Sequence, residues 1–431
     1  MNVKTIKSLC GMLAVLAFTA CSSNIDESAD APRFYNVTLT ASMSDETTRA
    51  LSEGTGNVIT ASFAKDDEVV VVDADGSTIV GTLTAQSTGA STTLSGTLNT
   101  TSLTVGEEVK LRYRSATANY DGQVGTLAGI AAGQDYAEGT LTVSTTSPSL
   151  TFESNSVTLT AKQSITKFTF KDVSNNADVS VKTFGIAAVG LVQSIATDGT
   201  ETAGAVTGTL GTAASDVYIA LRNNTDAKQT YAFTIKDNAG NWYITTKKAK
   251  LTYGKNYAVD IALTPLPELT SSDDVGTIGV IGGLPAIVVE INSTKKAVAL
   301  MNVGALCPEA YGTYYIFDDR ASGLSNSWYV PSQTELTSFK DTYSSTWGAP
   351  HGVNGRTFTI GSNTLFLPAA GLDDTDNVPS DFWKVSELGY YWSSTLSGTS
   401  PLCLSFTSSV VNIISDYPSD ALTVRPFHAL N

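Results

Sequence analysis

Histidine is almost missing from this chain of 431 residues, with only His351 and His428, and cysteine is nearly as scarce at four. Two imidazoles leave little room for a His-built zinc site or a Ser-His-Asp triad. The two are separated by turns and strands with no spacing that suggests a base and its orienter, so both are expected to be surface or packing residues. Charge is also sparse at 16 %, and it leans acidic: 26 Lys and Arg against 41 Asp and Glu give a net charge of −15. Such a chain offers no electrostatic footprint for a phosphate backbone, so no nucleic-acid partner is expected. A phosphate-cradling loop is missing too, since Tyr253-Gly254-Lys255 is a lone hairpin-like turn without P-loop spacing. What remains is rich in Ser, Thr, Asn and Gly, as in extracellular β-proteins, with 17 Tyr and 15 Phe to build cores. The length suggests about two to four domains.

Lys4 and Lys7 precede an uncharged apolar stretch from Ser8 to Thr19, which Ala20-Cys21-Ser22 follows. It is laid out as a secretory signal and is too short for a permanent membrane helix; no other segment reaches the roughly 18 apolar residues a span needs. Small residues immediately before Cys21 resemble a bacterial lipobox, although Phe18 stands where Leu is more usual. The resemblance implies cleavage after residue 20, a lipidated (palmitate-bearing) Cys21 and residence at the outer membrane. Cys10 is a poor rival because Leu9 before it is not small. A plain secretory peptide is the alternative.

From Phe34 the pattern has period two: Tyr35, Val37, Leu39 and Ala41 alternate with Asn36, Thr38 and Thr40, which predicts a strand with one buried face. Glu68 to Val72 is a β-branched run buried on both faces and closed by the turn Asp73 to Gly76. Strands follow at 78–84, 91–98, 108–113 and 139–143, and short strands joined by Gly/Ser/Thr/Asn turns indicate a β-sandwich over 50–150. Pro148 marks the expected boundary. A second set at 157–161, 165–170, 179–187, 217–220, 231–236, 242–246 and 257–263 predicts a second sandwich over 151–264. Thr264-Pro265-Leu266-Pro267 ends it, and 265–274 is expected to be a stiffened linker.

Beyond it Trp, Tyr and Pro concentrate, and four of the five Trp lie there. Ser332 and Glu335 have capping-box spacing, which predicts a helix whose apolar face carries Leu336 and Phe339. Aromatic density with one or two helices among short strands predicts an α+β domain over 275–431.

Arg49 lies in the polar stretch Asp45 to Leu51, as a trypsin-like protease requires, though an ordinary surface arginine has the same surroundings. Cleavage there and loss of Phe34 to Ala41 would delete a strand and leave an apolar groove with an unpaired edge. The lipobox, the alternating strand, Thr48-Arg49-Ala50, Phe63 to Val69, Gly125-Thr126-Leu127, Asp135-Tyr136-Ala137 and Ile165 to Phe170, in that order, resemble the fimbrillin family of Bacteroides-type fimbriae. The resemblance spans about residues 1–265. It implies two transthyretin-like β-sandwiches, lipoprotein export, cleavage between Arg49 and Ala50, and polymerisation with other fimbrial subunits by donor-strand exchange, with Tyr35, Val37 and Leu39 replaced in the assembled state.

Trp328 to Ser332, Leu365 to Gly371, Gly389 to Thr395 and Leu422 to Phe427 together resemble the C-type-lectin-like domains appended to bacterial surface proteins. This resemblance implies a fold and an adhesin-like tip or accessory role toward a host or bacterial glycan or protein. The chain lacks the Glu-Pro-Asn or Gln-Pro-Asp triplet and the Trp-Asn-Asp segment of calcium-dependent sugar binding, which puts sugar recognition in doubt.

Asp373, Asp374, Asp376 and Asp381 form the densest carboxylate group of this region and could supply calcium oxygens, or simply a solvated acidic loop. Trp383 and Tyr390 could form a stacking platform or a core, and Trp392 is a further candidate contact. Cys307 and Cys403, in one exported domain, could form a disulfide worth about 4 to 5 kcal/mol, or stay as buried thiols. A copper-binding pair, as in the formylglycine-generating enzymes, lacks its flanking motifs. No enzyme and no required cofactor is expected. The expectation is therefore a fimbrial subunit, with a non-polymerising surface lipoprotein as the main competitor.

Overall fold

The computed structural model describes residues 33–44, 52–53, 59–60, 62–76, 78–113, 118–374 and 381–430. Strand accounts for 54 % of the chain and helix for 5 %, so the mainly β class holds. Strands of four or more residues are numbered here in chain order.

The first unit holds β1 (Phe34–Met43), β2 (Glu68–Val72), β3 (Ile79–Ala85), β4 (Ser91–Asn99), β5 (Glu108–Tyr113), β6 (Ala137–Thr145) and β7 (Ser156–Ala161). Pairing runs β1-β4-β3-β2-β5-β6-β7 and returns from β7 to β1, so the seven strands form a closed circuit rather than an open sandwich. Closure removes the unpaired edges that an open sheet presents. The alternation in β1 is real: Val37, Leu39, Ala41 and Met43 are buried beside Leu83, Leu94, Leu111 and Leu159, while Asn36, Thr38 and Thr40 are exposed. All four valines of β2 are buried, as its run of β-branched residues requires.

The boundary expected at Pro148 falls elsewhere. Strand β7 closes the first circuit, although its residues lie past 150. Conversely Ala118, Tyr120, Ile130 and Tyr136 pack into the second core, the latter two in or just after the short helix α1 (Leu127–Gly133). A single cut in the sequence cannot divide units whose strands interleave.

The second unit stacks two sheets on one core. One carries β10 (Leu191–Ile195), β12 (Asp216–Asn223), β8 (Ser164–Asp172) and β15 (Asn256–Leu263); the other carries β11 (Val206–Ala214), β9 (Val181–Ala187), β13 (Gln229–Asp237) and β14 (Trp242–Ala249). Phe168, Phe170, Phe184 and Phe233 fill the space between them. β10 and β11 were not foreseen, because Gly, Thr and Gln interrupt their apolar periodicity.

The segment expected to be a linker is instead built into both neighbours. Pro265 bridges Tyr243, the Leu266 amide donates to the Trp242 carbonyl at 2.8 Å, and the amides of Leu269 and Val280 donate to Val280 and Pro267 carbonyls at 2.7 Å each. Trp242 leaves the second core for the third, donating from Nε1 to the Gly283 carbonyl at 2.9 Å.

The terminal unit combines a sheet of β16 (Ile278–Ile281), β17 (Leu284–Ile291), β18 (Thr294–Ala299), Phe427–Ala429 and Trp328–Tyr329 with two three-stranded sheets. These are β19 (Ser345–Gly348), β20 (Gly355–Ile360) and β21 (Asn363–Pro368), then β22 (Gly389–Ser397), β23 (Ser400–Phe406) and β24 (Val411–Ser415). Helix α2 (Gln333–Thr342) starts as its capping box predicts: the Glu335 amide donates to Ser332 Oγ at 3.3 Å and the Ser332 amide donates to Glu335 Oε2 at 2.7 Å. Leu336 and Phe339 then lie buried on its inner face.

Candidate functional site

Three places carry the chemistry foreseen from the sequence, and one carries chemistry that was not. The first is the bed of β1. Nine residues, Phe34 to Ser42, pair antiparallel with β4, and four, Thr40 to Met43, pair parallel with β7. Val37 and Leu39 are buried and Tyr35 packs against the same core while half-exposed. Cys21, Arg49 and Ala50 lie outside the described residues.

The second is the acidic loop. Asp373 exchanges backbone hydrogen bonds of 3.0 Å with Ala421, and its Oδ1 is buried without a bond among the described residues. Asp374 pairs through its backbone with Asp381, and Asp376 lies outside the described residues. No group of three or more His, Cys, Asp or Glu side chains converges among the described residues. Trp383 is half-exposed with the Lys384 ammonium 5.7 Å from its ring centre. Tyr390 and Trp392 face inward instead. Trp392 is wholly buried, packs edge-on against Phe317 with ring centres 5.4 Å apart, and donates from Nε1 to the Tyr315 carbonyl at 2.6 Å. Trp392 is a core residue, which removes it from the candidate contacts, and the burial of Tyr390 beside a half-exposed Trp383 breaks up the proposed pairing of those two.

The third is the cysteine pair. Cys307 and Cys403 are free and buried in different clusters, Cys307 among Ala187, Ala205 and Ala310, Cys403 beside Trp392 and Leu422. The disulfide considered for them is not formed. Burial pushes both thiols well above their ordinary range, with nearby carboxylates adding to it, so neither is a ready thiolate.

The unforeseen site is a cleft of about 500 Å³ between the second and terminal units. Asp121, Gln193 and Thr207 line one side, and Glu309, Tyr314 and Phe382 line the other. The walls are held close. A Cβ on Gly185 would come within 2.5 Å of the Cys307 Cβ, and one on Gly352, at φ +87°, within 2.6 Å of the Ala188 carbonyl. Glu309, only 5 % exposed, receives His351 Nδ1 on Oε1 at 2.6 Å. His351 is thus a partner of a buried carboxylate rather than a plain surface residue. Asp121 Oδ1 accepts from the Thr207 amide at 2.9 Å and hydroxyl at 2.6 Å. Burial raises the Tyr314 phenol, with Tyr311, Tyr391 and Asp373 contributing, and its hydroxyl donates to the Ala370 carbonyl. Its ring meets Phe382 with centres 5.1 Å apart. Sequence reasoning missed this cleft because its residues are scattered between 121 and 385 with no shared motif.

No family model and no curated protein matches the chain. Solved structures similar to it include a candidate cell adhesion protein from Bacteroides uniformis, 14 % identical, covering 53 % of this chain and 96 % of that one at a TM-score of 0.32. A fimbrial assembly protein from Parabacteroides distasonis is 12 % identical, with 62 % and 95 % covered and a TM-score of 0.26. The shaft pilin SpaA of Lactobacillus rhamnosus GG is 14 % identical, with 55 % and 100 % covered and a TM-score of 0.25.

Proposed function

We propose that this chain is a non-enzymatic fimbrial subunit of the tip or accessory kind, exported as a lipoprotein through Cys21 and displayed at the outer membrane. Cleavage after Arg49 releases β1, and a strand donated by another subunit takes its place. The terminal unit, whose lectin-like fold belongs to this proposal, serves as the ligand-binding end toward a surface glycan or protein. One observation carries the assembly step: β1 is the strand that precedes Arg49 in sequence, and it is an interior member of a closed circuit. Its removal opens two facing edges, on β4 and β7, over the apolar bed of Leu83, Leu94 and Leu159. Backbone pairing along both edges, with apolar anchors at alternate residues, is what strand addition supplies.

N-terminal sequencing of the surface-exposed protein tests this: a mature chain that begins at Ala50 and is lost in Arg49→Ala is expected. An intact, lipidated Cys21 in every copy would overturn it. The competitor, a non-polymerising surface lipoprotein, is favoured by the completeness of the same pairing, since with β1 in place every strand of the first circuit is paired on both sides.

A further inference from the structure

We propose that the cleft between the second and terminal units receives one cationic group, the ammonium or guanidinium of a lysine or arginine side chain on a partner polypeptide. This rests on the ligand-binding role given above to the terminal unit and names the chemistry bound there. Two carboxylates face a space that, among the described residues, is lined by no Lys or Arg. Glu309 is nearly buried, its Oε1 is taken by His351, and its other oxygen has no protein partner among the described residues. Asp121 receives only neutral donors, both on Oδ1, which leaves Oδ2 likewise without one. The two line one and the same cleft.

A carboxylate drawn out of water is costly unless an opposite charge reaches it. A cationic guest compensates that cost, whereas an anionic ligand would be repelled and a neutral saccharide would leave Asp121 uncompensated. The rings of Tyr314 and Phe382 suit the same guest. Phe382 is 58 % exposed, and an aromatic face attracts a cation within about 6 Å while the aliphatic stem of the guest lies along it. The cleft volume of about 500 Å³ falls within the range of about 300 to 1,000 Å³ usual for ligand sites, which often lie between domains. That space admits a long side chain with its flanking backbone, which a free polyamine would not use.

The test is calorimetric titration of the full chain with a blocked peptide carrying one lysine, its norleucine counterpart, spermidine and a panel of neutral oligosaccharides. The lysine peptide is expected to bind and the norleucine peptide not to. Affinity should fall about tenfold in Asp121→Asn and in Glu309→Gln, the loss typical of one charged hydrogen bond. Phe382→Ala, at an exposed ring whose loss leaves the core intact, should weaken the lysine peptide several-fold. Asp226→Asn, which removes an exposed charge outside the cleft, should change nothing.

Equal binding of the lysine and norleucine peptides would overturn the proposal. So would an equal effect of Asp226→Asn, which would mean general attraction to an acidic chain. Spermidine binding tighter than the peptide would overturn the polypeptide source. Saccharide binding with a silent lysine peptide would overturn the cationic guest while leaving the adhesin role standing. Failure of the assembly reading would show separately, in the N-terminal sequence.

Discussion

Arg425 is the least expected residue of the terminal core. It is buried among apolar neighbours and donates through Nη1 to the Ala299 carbonyl and through Nη2 to the Phe366 carbonyl, both at 3.1 Å. Burial lowers its pKa to about 10, with Tyr391 opposing, so at neutral pH the guanidinium is still charged and held by carbonyl dipoles. Arg425→Met is expected to leave two buried carbonyls unsatisfied and to cost about 2 to 4 kcal/mol, at the usual 1 to 3 for each such group less some relaxation. Urea unfolding followed by tryptophan fluorescence reads this, since four of the five Trp lie in the terminal unit. The cysteines give a second prediction at this scale. With Cys307 and Cys403 free and buried, both thiols should resist a thiol reagent in the native protein and react in denaturant, and a reductant should leave Tm unchanged. A fall in Tm on reduction would mean a disulfide after all.

Among the elements, α2 shows what sequence makes legible. Its start was readable because a capping box is local: Ser332 and Glu335 satisfy each other's backbone amides within one turn. What the spacing did not reveal is that Glu335 also receives Lys296 Nζ at 2.6 Å and the Tyr329 hydroxyl at 2.8 Å, from β18 and from the strand before the helix. Burial works to raise the Glu335 carboxyl, and the bonds from Lys296, the Ser332 amide and Tyr329 outweigh it, holding it below the ordinary 4.5. A depressed folded pKa means stabilisation that is complete above the unfolded value and lost as pH falls through the folded one. The gap in stability between the protein and Glu335→Gln should therefore be widest near neutrality and narrow as pH drops below about 4.5, the unperturbed carboxyl value. Ser332→Ala should cost about 1 kcal/mol for the lost cap. The same logic explains what was not legible. β1 and β2 announce themselves through alternation or a valine run, whereas the placement of β7 depends on pairing with a strand more than a hundred residues earlier. Likewise Asp121 and Glu309 come to line one cleft across two units that approach closely at Gly185 and Gly352.

At the scale of the whole molecule, those two glycines let the second and terminal units pack closely against each other. Gly185→Ala would drive a methyl into Cys307, and overpacking of this kind costs about 1 to 3 kcal/mol. The expected outcome is weaker coupling of the two units, seen as separated unfolding transitions and as faster proteolysis near 265–274. The first unit obeys a different logic, because its circuit is closed only by β1. Burying Val37, Leu39 and Met43 stabilises the closed form by about 1.5 to 3 kcal/mol each, together with pairing on two edges, so the intact chain should be a stable monomer. Cleaved after Arg49 and stripped of β1 in mild denaturant, it regains water on an apolar bed flanked by two unpaired edges, a state that favours strand capture. Such chains should elute as larger assemblies in size-exclusion chromatography. An excess of a synthetic peptide spanning 34–43 should return them to monomer size, because it restores the nine-residue pairing with β4. The same peptide carrying Leu39→Asp should not, since it would set an unpaired carboxylate where Leu39 is 3 % exposed. Equal rescue by both peptides would show that the groove reads backbone alone and that the apolar anchors do not select the strand.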